Sequence, residues 1–408
     1  MRRTSLVVLL AVLTALFVGA SGRPAPSHWV ATWTSMPQLT EPGNMPPAPF
    51  TGTGKVLDNA SLRQTAQVTT GGPRIRLRFS NAFGGAPLPL TAVSVARPAA
   101  GAAGVSAVVP GSIVPVTFHG KPSTTVPQGA QVVSDPLPFP VRPLENITVT
   151  AYLATGQAST SITSHPGSRT TSYLLAGNQV SAVDLPGATP VDHWYFLSGI
   201  EVLAPASAVA VIGDSISDGR GSTTNGNDRW PNVLAARLPG VAVVNQAAGG
   251  NRVLQDGLGP NVLARLDRDL LSTSGVSWAI LFEGVNDIGT APPGTAADVA
   301  NQLIDAYDQI LVRAHAQDIK VYGATITAFG GNTNYDTPER EAARQQVNAW
   351  IRSPGHFDAV LDFDQVTRDP AVPSQLLPAY DVGDHLHLNP AGYRAIGNSV
   401  PAKLFGEH

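Results

Sequence analysis

The sequence predicts two joined architectures: a three-layer α/β domain with five parallel strands, preceded by an antiparallel β-rich domain of sandwich or jelly-roll type. Three observations carry this. From residue 27 to 203 the chain is rich in Thr, Val, Ser, Pro and Gly. Short apolar or alternating stretches recur there between turn clusters such as Gly71-Gly72-Pro73 and Gly84-Gly85, as a series of short strands requires. After residue 208 the apolar runs become nearly continuous and rich in Val and Ile, which suits strands covered on both faces of a parallel sheet. Segments with apolar residues at helical spacing separate those runs, and strand alternating with helix builds a sheet with helices on both sides.

Taken in chain order, Arg2 and Arg3 precede an apolar run over residues 6–18 that ends in Gly19, Ala20, Ser21 and Gly22. Positive, apolar, then small is the layout of a secretory signal peptide. Residues 1–22 are read as one, cleaved after Ala20 or Gly22; the paired arginines match twin-arginine export only in part. The run is shorter than the roughly 20 residues that span a bilayer, so the mature protein is expected to be secreted, extracellular or periplasmic, without a membrane anchor. The β-rich domain is placed at residues 27–203, with strands expected at 29–33, 75–79, 92–96, 147–153 and 194–197. Within it Arg74-Ile75-Arg76-Leu77-Arg78-Phe79 alternates, three arginines to one face. This reads as a half-buried strand with a solvated side; binding of an anionic ligand is the alternative.

Residues 204–208, Ala-Pro-Ala-Ser-Ala, read as a linker, and the α/β domain as residues 209–408. Its strands are expected at 209–212, 241–244, 278–282, 321–326 and 360–363. One helical stripe carries Leu258, Val262, Leu263, Leu266 and Leu270; a second carries Val299, Leu303, Ile304, Tyr307, Ile310 and Leu311. Pro338 followed by Glu339 and Glu341 marks a helix start, and Tyr393, Ile396, Val400 and Leu404 mark a last helix.

Composition narrows the function. Lys plus Arg is 26 and Asp plus Glu 29 in 408 residues, a formal charge of −3, so the positive field that nucleic acid or an anionic membrane surface demands is missing. Hydrophobic residues make up 43% and charged ones 13%, enough to bury large cores. Cys is zero, which excludes disulfides, thiolate zinc sites and a thiol nucleophile. Asn59 and Asn146 lie in N-x-S/T sequons, relevant only in a glycosylating source.

Ligands of an open parallel sheet sit beyond the carboxyl ends of its strands. The polar residues that follow the expected strands are therefore the candidates, and four groups should share one rim: Gly213-Asp214-Ser215-Ile216, Asn245 through Asn251, Glu283 through Asp287, and Asp384-His385-Leu386-His387. Ser215 is the candidate nucleophile; the alternative is a turn in which Asp214 or Ser215 only caps a helix. A serine hydroxyl needs a base. Asp384 and His387 have the offset that lets a carboxylate hold one imidazole nitrogen while the other faces Ser215; His385 competes, but its side chain should point the other way in extended chain. The Ser215 and Gly250 amides and the Asn286 side chain can supply donors to an oxyanion, with Gly250 read as a place where a side chain would block the ligand. For Gly249-Gly250 a flexible loop, and for Asn286-Asp287 a β-turn, are the structural alternatives. Asp384, His385 and His387 also resemble part of a carboxylate–imidazole metal site.

These residues resemble the block signature of the SGNH hydrolases, the GDSL esterase/lipase family. Ser215 lies in the Gly-Asp-Ser block, Gly250 in Asn-Gln-x-x-x-Gly-Asn, Asn286 in Gly-x-Asn-Asp, and Asp384 with His387 in Asp-x-x-His. The first half is similar, through Trp29-Val30-Ala31-Thr32-Trp33 and Ser80-Asn81-Ala82-Phe83-Gly84, to the β-rich region of a bacterial secreted subgroup. Ile216 stands where the family name has Leu, and Ala247 where Gly is frequent. The resemblance implies a flavodoxin-like fold, a Ser–His–Asp serine hydrolase and a three-donor oxyanion hole formed by Ser215, Gly250 and Asn286. The expected activity is a secreted esterase cleaving acetyl or short-acyl esters, of small molecules or of polysaccharide, through an acyl-serine, with no cofactor, no metal and no nucleic-acid partner. A lipase or phospholipase of the same fold, or a carbohydrate-binding protein on an idle hydrolase scaffold, are the alternatives.

Overall fold

The structure is a computed structural model that describes residues 26–406; the leader read at residues 1–22 lies outside them. Among the described residues no helix is long and apolar enough to cross a membrane.

Residues of the first half form two antiparallel sheets packed face to face. One has the order His28–Thr34, Leu197–Ala204, Ile75–Ser80, Gln131–Val133; the other runs Thr189–Val191, Ser172–Ala176, Ala60–Gln67, Asn146–Leu153, Ala92–Ala96, Val114–Val116. Val30, Leu77, Phe79 and Val202 from the first sheet share one buried cluster with Leu62, Val93, Val149 and Leu174 from the second. That is a β-sandwich. The expected strand over 194–197 is broken instead at Phe196, whose φ of 60° turns the chain between Trp194–Tyr195 and Leu197–Ala204. The arginine face is half-buried, with Arg74 exposed and Arg76 and Arg78 partly so. Arg76 and Arg78 both pair with Glu201, which is buried on the neighbouring strand, and Arg76 also lies over the Trp29 ring.

The second half carries a five-stranded parallel sheet. In space the order is Val241–Asn245, Ser207–Gly213, Val276–Phe282, Lys320–Ala324, Ala359–Leu361. Numbered by sequence this is 2-1-3-4-5, the flavodoxin-like order. Helices Trp230–Arg237, Phe363–Thr367 and Pro390–Ser399 pack together, with Trp230 and Phe282 edge-on to Phe363. Ala296–His315 and Pro338–Arg352 pack as a second pair. The expected stripe beginning at Leu258 starts later, at Val262, capped by the Asn261 side chain. Gly257, Gly259 and Pro260 precede it and keep Leu258 in a loop, as glycine and proline do before a helix. The last helix stops at Ser399; Pro401 follows, and Leu404 sits in a separate 3₁₀ turn.

The two halves are welded along the sheet edge. Only Pro205 and Ala206 separate the last antiparallel strand from Ser207–Gly213, so Ser207 and Ala208 of the segment read as a linker already belong to the first parallel strand. Ala208 and Ala242 sit in the sandwich's own apolar cluster. Thr69 Oγ1 accepts from Val243 N at 3.0 Å, and Thr34 Oγ1 donates to the Asn245 carbonyl at 3.1 Å. A free sheet edge is a liability; here the sandwich covers it.

Candidate active site

Ser215 opens a single helical turn, Ser215–Asp218, right after the first parallel strand. Its cap is Asp214, whose carboxylate accepts from Ile216 N at 2.8 Å. Asp214 therefore caps the turn, and Ser215 stands at its start, where backbone N–H groups face outward. The Ser215 hydroxyl lies 2.7 Å from His387 Nε2, and His387 Nδ1 lies 2.6 Å from Asp384 Oδ2. Asp384 Oδ1 accepts from Leu386 N and His387 N at 3.0 and 2.8 Å, which locks the carboxylate to the loop that carries the ring. His385 turns away, its φ at 58°, with Nδ1 2.8 Å from Asp381. The two imidazoles thus engage different carboxylates, and among the described residues no group of three or more His, Asp or Glu is arranged to hold a metal ion.

Protonation follows from these contacts. Because Asp384 can only accept, His387 Nδ1 carries the proton and Nε2 is free to take one from Ser215. Burial pushes the imidazole below its ordinary value; Asp384 pulls it up but does not overcome this, and Arg220 and Arg169 add to the downward push. The ring is consequently neutral at neutral pH, as a base must be. Burial alone would raise the Asp384 carboxyl, but the amide and ring of His387 outweigh it and hold it below the carboxylate range. Beneath Ser215 the opposite happens. Burial pushes Asp214 up to about 7 and Glu283 well above its ordinary value, which limits the negative charge beside Ser215.

The donors come from the next two strand ends. The N–H groups of Ser215 and Gly250 have no acceptor among the described residues. Gly250 is required for a reason other than ligand access: its φ is 69°, and a Cβ there would meet the Leu258 side chain at 2.8 Å. Asn286 lies not in a β-turn but in the helical turn Val285–Gly289. Its Nδ2 donates to the Asn251 carbonyl at 2.8 Å, and its Oδ1 accepts from the Tyr335 hydroxyl at 2.7 Å. A carbonyl can only accept, so this pair fixes the amide orientation and leaves the second Nδ2 hydrogen free.

Three supports escape sequence reasoning. Tyr335 comes from a remote loop, and burial pushes its phenol up, so it stays a donor. Arg265, fully buried, donates to the Gln246 carbonyl and to Asn251 Oδ1, pinning both ends of the Gly250 loop. Asp287 accepts from Val253 N and Leu254 N just beyond that loop. Asp287 closes the Gly-x-Asn-Asp block, but its role as acceptor for these amides, like the roles of Tyr335 and Arg265, carries no local signal. The sandwich domain also reaches the site. His165 Nε2 lies 2.9 Å from Asp218 Oδ1, and Asp218 Oδ2 accepts from Gly249 N at 3.2 Å. At Gly167 a Cβ would fall 1.7 Å from Asp218 Oδ2, so the sandwich loop lies directly on the Ser215 helix.

A family model described as GDSL-like Lipase/Acylhydrolase matches residues 211–395, which contain Ser215, Gly250, Asn286, Asp384 and His387. No curated protein matches the chain. Solved structures similar to it include a GDSL-like lipase from Bacteroides thetaiotaomicron (17% identity, 47% of this chain and 84% of that one, TM-score 0.38). A catalytic mutant of an acetylxylan esterase from Geobacillus stearothermophilus is similar at 17% identity, over 48% of this chain and 93% of that one, with TM-score 0.36. An alpha/beta hydrolase enzyme from the metagenome of Lake Arreo is similar at 19% identity, over 47% and 92%, with TM-score 0.35.

Proposed function

Residues 211–395 are a GDSL-like lipase/acylhydrolase domain, a hydrolase acting on esters, and from that premise we propose that the protein is a serine esterase that works through an acyl-enzyme at Ser215. One observation carries the reading: the unbroken chain from the Ser215 hydroxyl through both nitrogens of His387 to Asp384, with links of 2.7 and 2.6 Å. Ser215 Oγ attacks the ester carbonyl carbon as its proton passes to His387 Nε2. The carbonyl oxygen becomes an oxyanion held by Ser215 N–H, Gly250 N–H and Asn286 Nδ2–H. Asp384 stabilises the imidazolium without taking its proton. Collapse breaks the ester C–O bond, and His387 returns the proton to the departing alcohol. Water then attacks the acyl-serine with His387 as base, releasing the acid and restoring Ser215. The substrate proposed is a short-acyl ester, acetyl among them.

Fluorophosphonate labelling tests this directly. The folded protein is expected to take up one equivalent, with the adduct on the Ser215 peptide, and to lose p-nitrophenyl acetate hydrolysis in step. A folded protein that stays unlabelled at Ser215 is not a serine esterase. The oxyanion role of Asn286 has its own consequence: Asn286→Ala should lower kcat by about 10²–10³ with KM little changed, the usual effect of losing one such donor. Tyr335→Phe should shift kcat in the same sense and by less, since it frees the amide to turn without removing it. A change confined to KM in steady-state kinetics would assign Asn286 to ground-state binding instead.

A further inference from the structure

Arginine is abundant near the surface of this chain, and where it is even partly buried it is almost always paired. In the α/β half, Arg229, Arg237, Arg265, Arg268, Arg313, Arg340, Arg344, Arg352 and Arg368 each donate to a carboxylate, a side-chain amide or a backbone carbonyl. Among the described residues two partly buried arginines have no hydrogen-bond or ion-pair partner for any side-chain nitrogen, Arg169 and Arg252, and in both the Nε is buried as well. An unpaired buried donor on a charged group is costly, so two of them call for a partner.

Both stand at the site. Arg169 belongs to the sandwich loop that Gly167 seats on Asp218. It sits at a φ of 50°, uncommon for a residue with a side chain, and its carbonyl is held by Asn225 N at 2.9 Å. Its charge reaches His387 and Tyr393. Arg220, exposed and without a side-chain partner among the described residues, follows the Ser215 turn, its N–H on the Ser215 carbonyl at 2.9 Å, and its charge also reaches His387. Arg252 belongs to the Gly250 loop, and its charge reaches Tyr335, a residue that holds Asn286. It follows Asn251, which holds Asn286, and a Cβ at Gly257 would lie 3.3 Å from the Gly250 carbonyl and 3.7 Å from Arg252 Nε. In a chain whose net charge is −3, Arg169 thus puts positive charge near His387 and Arg252 near Tyr335 and Asp287.

We propose that Arg169 and Arg252, with Arg220 at the rim, are a recognition site for an anionic group, so that the preferred substrate is an ester carrying a carboxylate or a phosphate near the scissile bond. This rests on the reading of Ser215 as the acylated residue. A planar guanidinium with several donors matches either anion. The same reading gives the sandwich domain a part in specificity, since it contributes Arg169 to a site otherwise built from the α/β half.

Matched ester pairs test it: 4-acetoxybenzoate against its methyl ester for the carboxylate, and acetylglycerol 3-phosphate against acetylglycerol for the phosphate. The wild type should favour the charged member of at least one pair by about tenfold or more in kcat/KM, and that preference should shrink as ionic strength rises. The pair that shows the preference identifies the anion. Arg169→Gln and Arg252→Gln should each cut the charged-to-neutral ratio about tenfold, mainly through KM, while Arg169→Lys retains part of it. Arg74→Gln, an exposed arginine on the sandwich, serves as control and leaves the ratio unchanged. A ratio near one in both wild-type pairs, or one insensitive to salt and to both substitutions while the neutral esters are still hydrolysed, overturns the proposal and leaves the esterase reading standing. Failure to hydrolyse any member, together with no fluorophosphonate adduct, overturns both.

Discussion

Ser215→Ala and His387→Ala should each lower kcat on a short neutral ester by about 10⁴–10⁶, because residues that act as one unit fail together. The double variant should be hardly worse than either single one. Asp384→Asn should cost somewhat less, since it removes an orienting charge and leaves nucleophile and base in place. Folding should survive. Among the described residues the only side-chain hydrogen bond of Ser215 is the one to His387, and Asp384 keeps the Leu386 and His387 amides, so thermal unfolding should move by only a few degrees. The pH profile gives an independent check. His387 is pushed below 6.5 by burial, with Arg220 and Arg169 adding to that push, and only the neutral ring can accept the serine proton. Activity is therefore lost as pH falls, and the midpoint of the acid limb of kcat/KM should lie below 6.5. Arg169→Gln removes one repelling charge and should move that midpoint upward. A midpoint well above 6.5, or single variants whose losses multiply, would contradict a Ser215–His387 unit.

The parts of this architecture that could be read from the sequence are those set by short-range chemistry. The five Val- and Ile-rich runs appear as the five parallel strands within a few residues, because strands such as Ser207–Gly213, covered on both faces, must be apolar throughout. The residues singled out at their ends converge for a topological reason: the order 2-1-3-4-5 puts the ends of the first three strands side by side. What stayed hidden depends on distant partners. Ala60–Gln67 is a central strand with Arg63, Gln64 and Thr65 buried, which no apolar alternation reveals. It is tolerated because Arg63 donates to Thr150 Oγ1 and to the Ser106 and Ala182 carbonyls. The arginine face at Arg76 and Arg78 was legible as a face, but its counter-charge, Glu201, comes from a strand far along the chain. Tyr335 and Arg265 fall in the same class: their side chains matter because of where the fold delivers them. Leu258 shows the reverse error, in which an apolar residue at helical spacing was outranked by the Gly and Pro around it.

A chain beginning at residue 205 should not behave as an independent domain. Removing the sandwich strips the cover from Val241–Asn245, the edge strand of the parallel sheet, and exposes Ala242, now buried in the sandwich's apolar cluster. Val243 N loses Thr69, and the Ala208–Ala242 contact with the sandwich core goes with it. An uncovered apolar edge of this kind pairs with copies of itself. The loss also reaches the chemistry. Asp218, fully buried in the turn that Ser215 opens, gives up His165, and an acceptor left short of partners inside a protein costs about 1–3 kcal/mol against a total stability of roughly 5–15 kcal/mol. The expected result is aggregation on size-exclusion chromatography, with soluble remnants unfolding well below the full chain and hydrolysing neutral esters poorly. His165→Ala in the full chain isolates the second effect: it should lower the unfolding temperature by several degrees and reduce kcat, since Asp218 also holds the Gly249 amide beside Gly250, while the edge stays covered and the protein stays monodisperse. If the truncated chain were monomeric, unfolded within a few degrees of the full chain and kept its turnover, the sandwich would be an appendage, and the contacts at Thr69 and His165 would be incidental to the site.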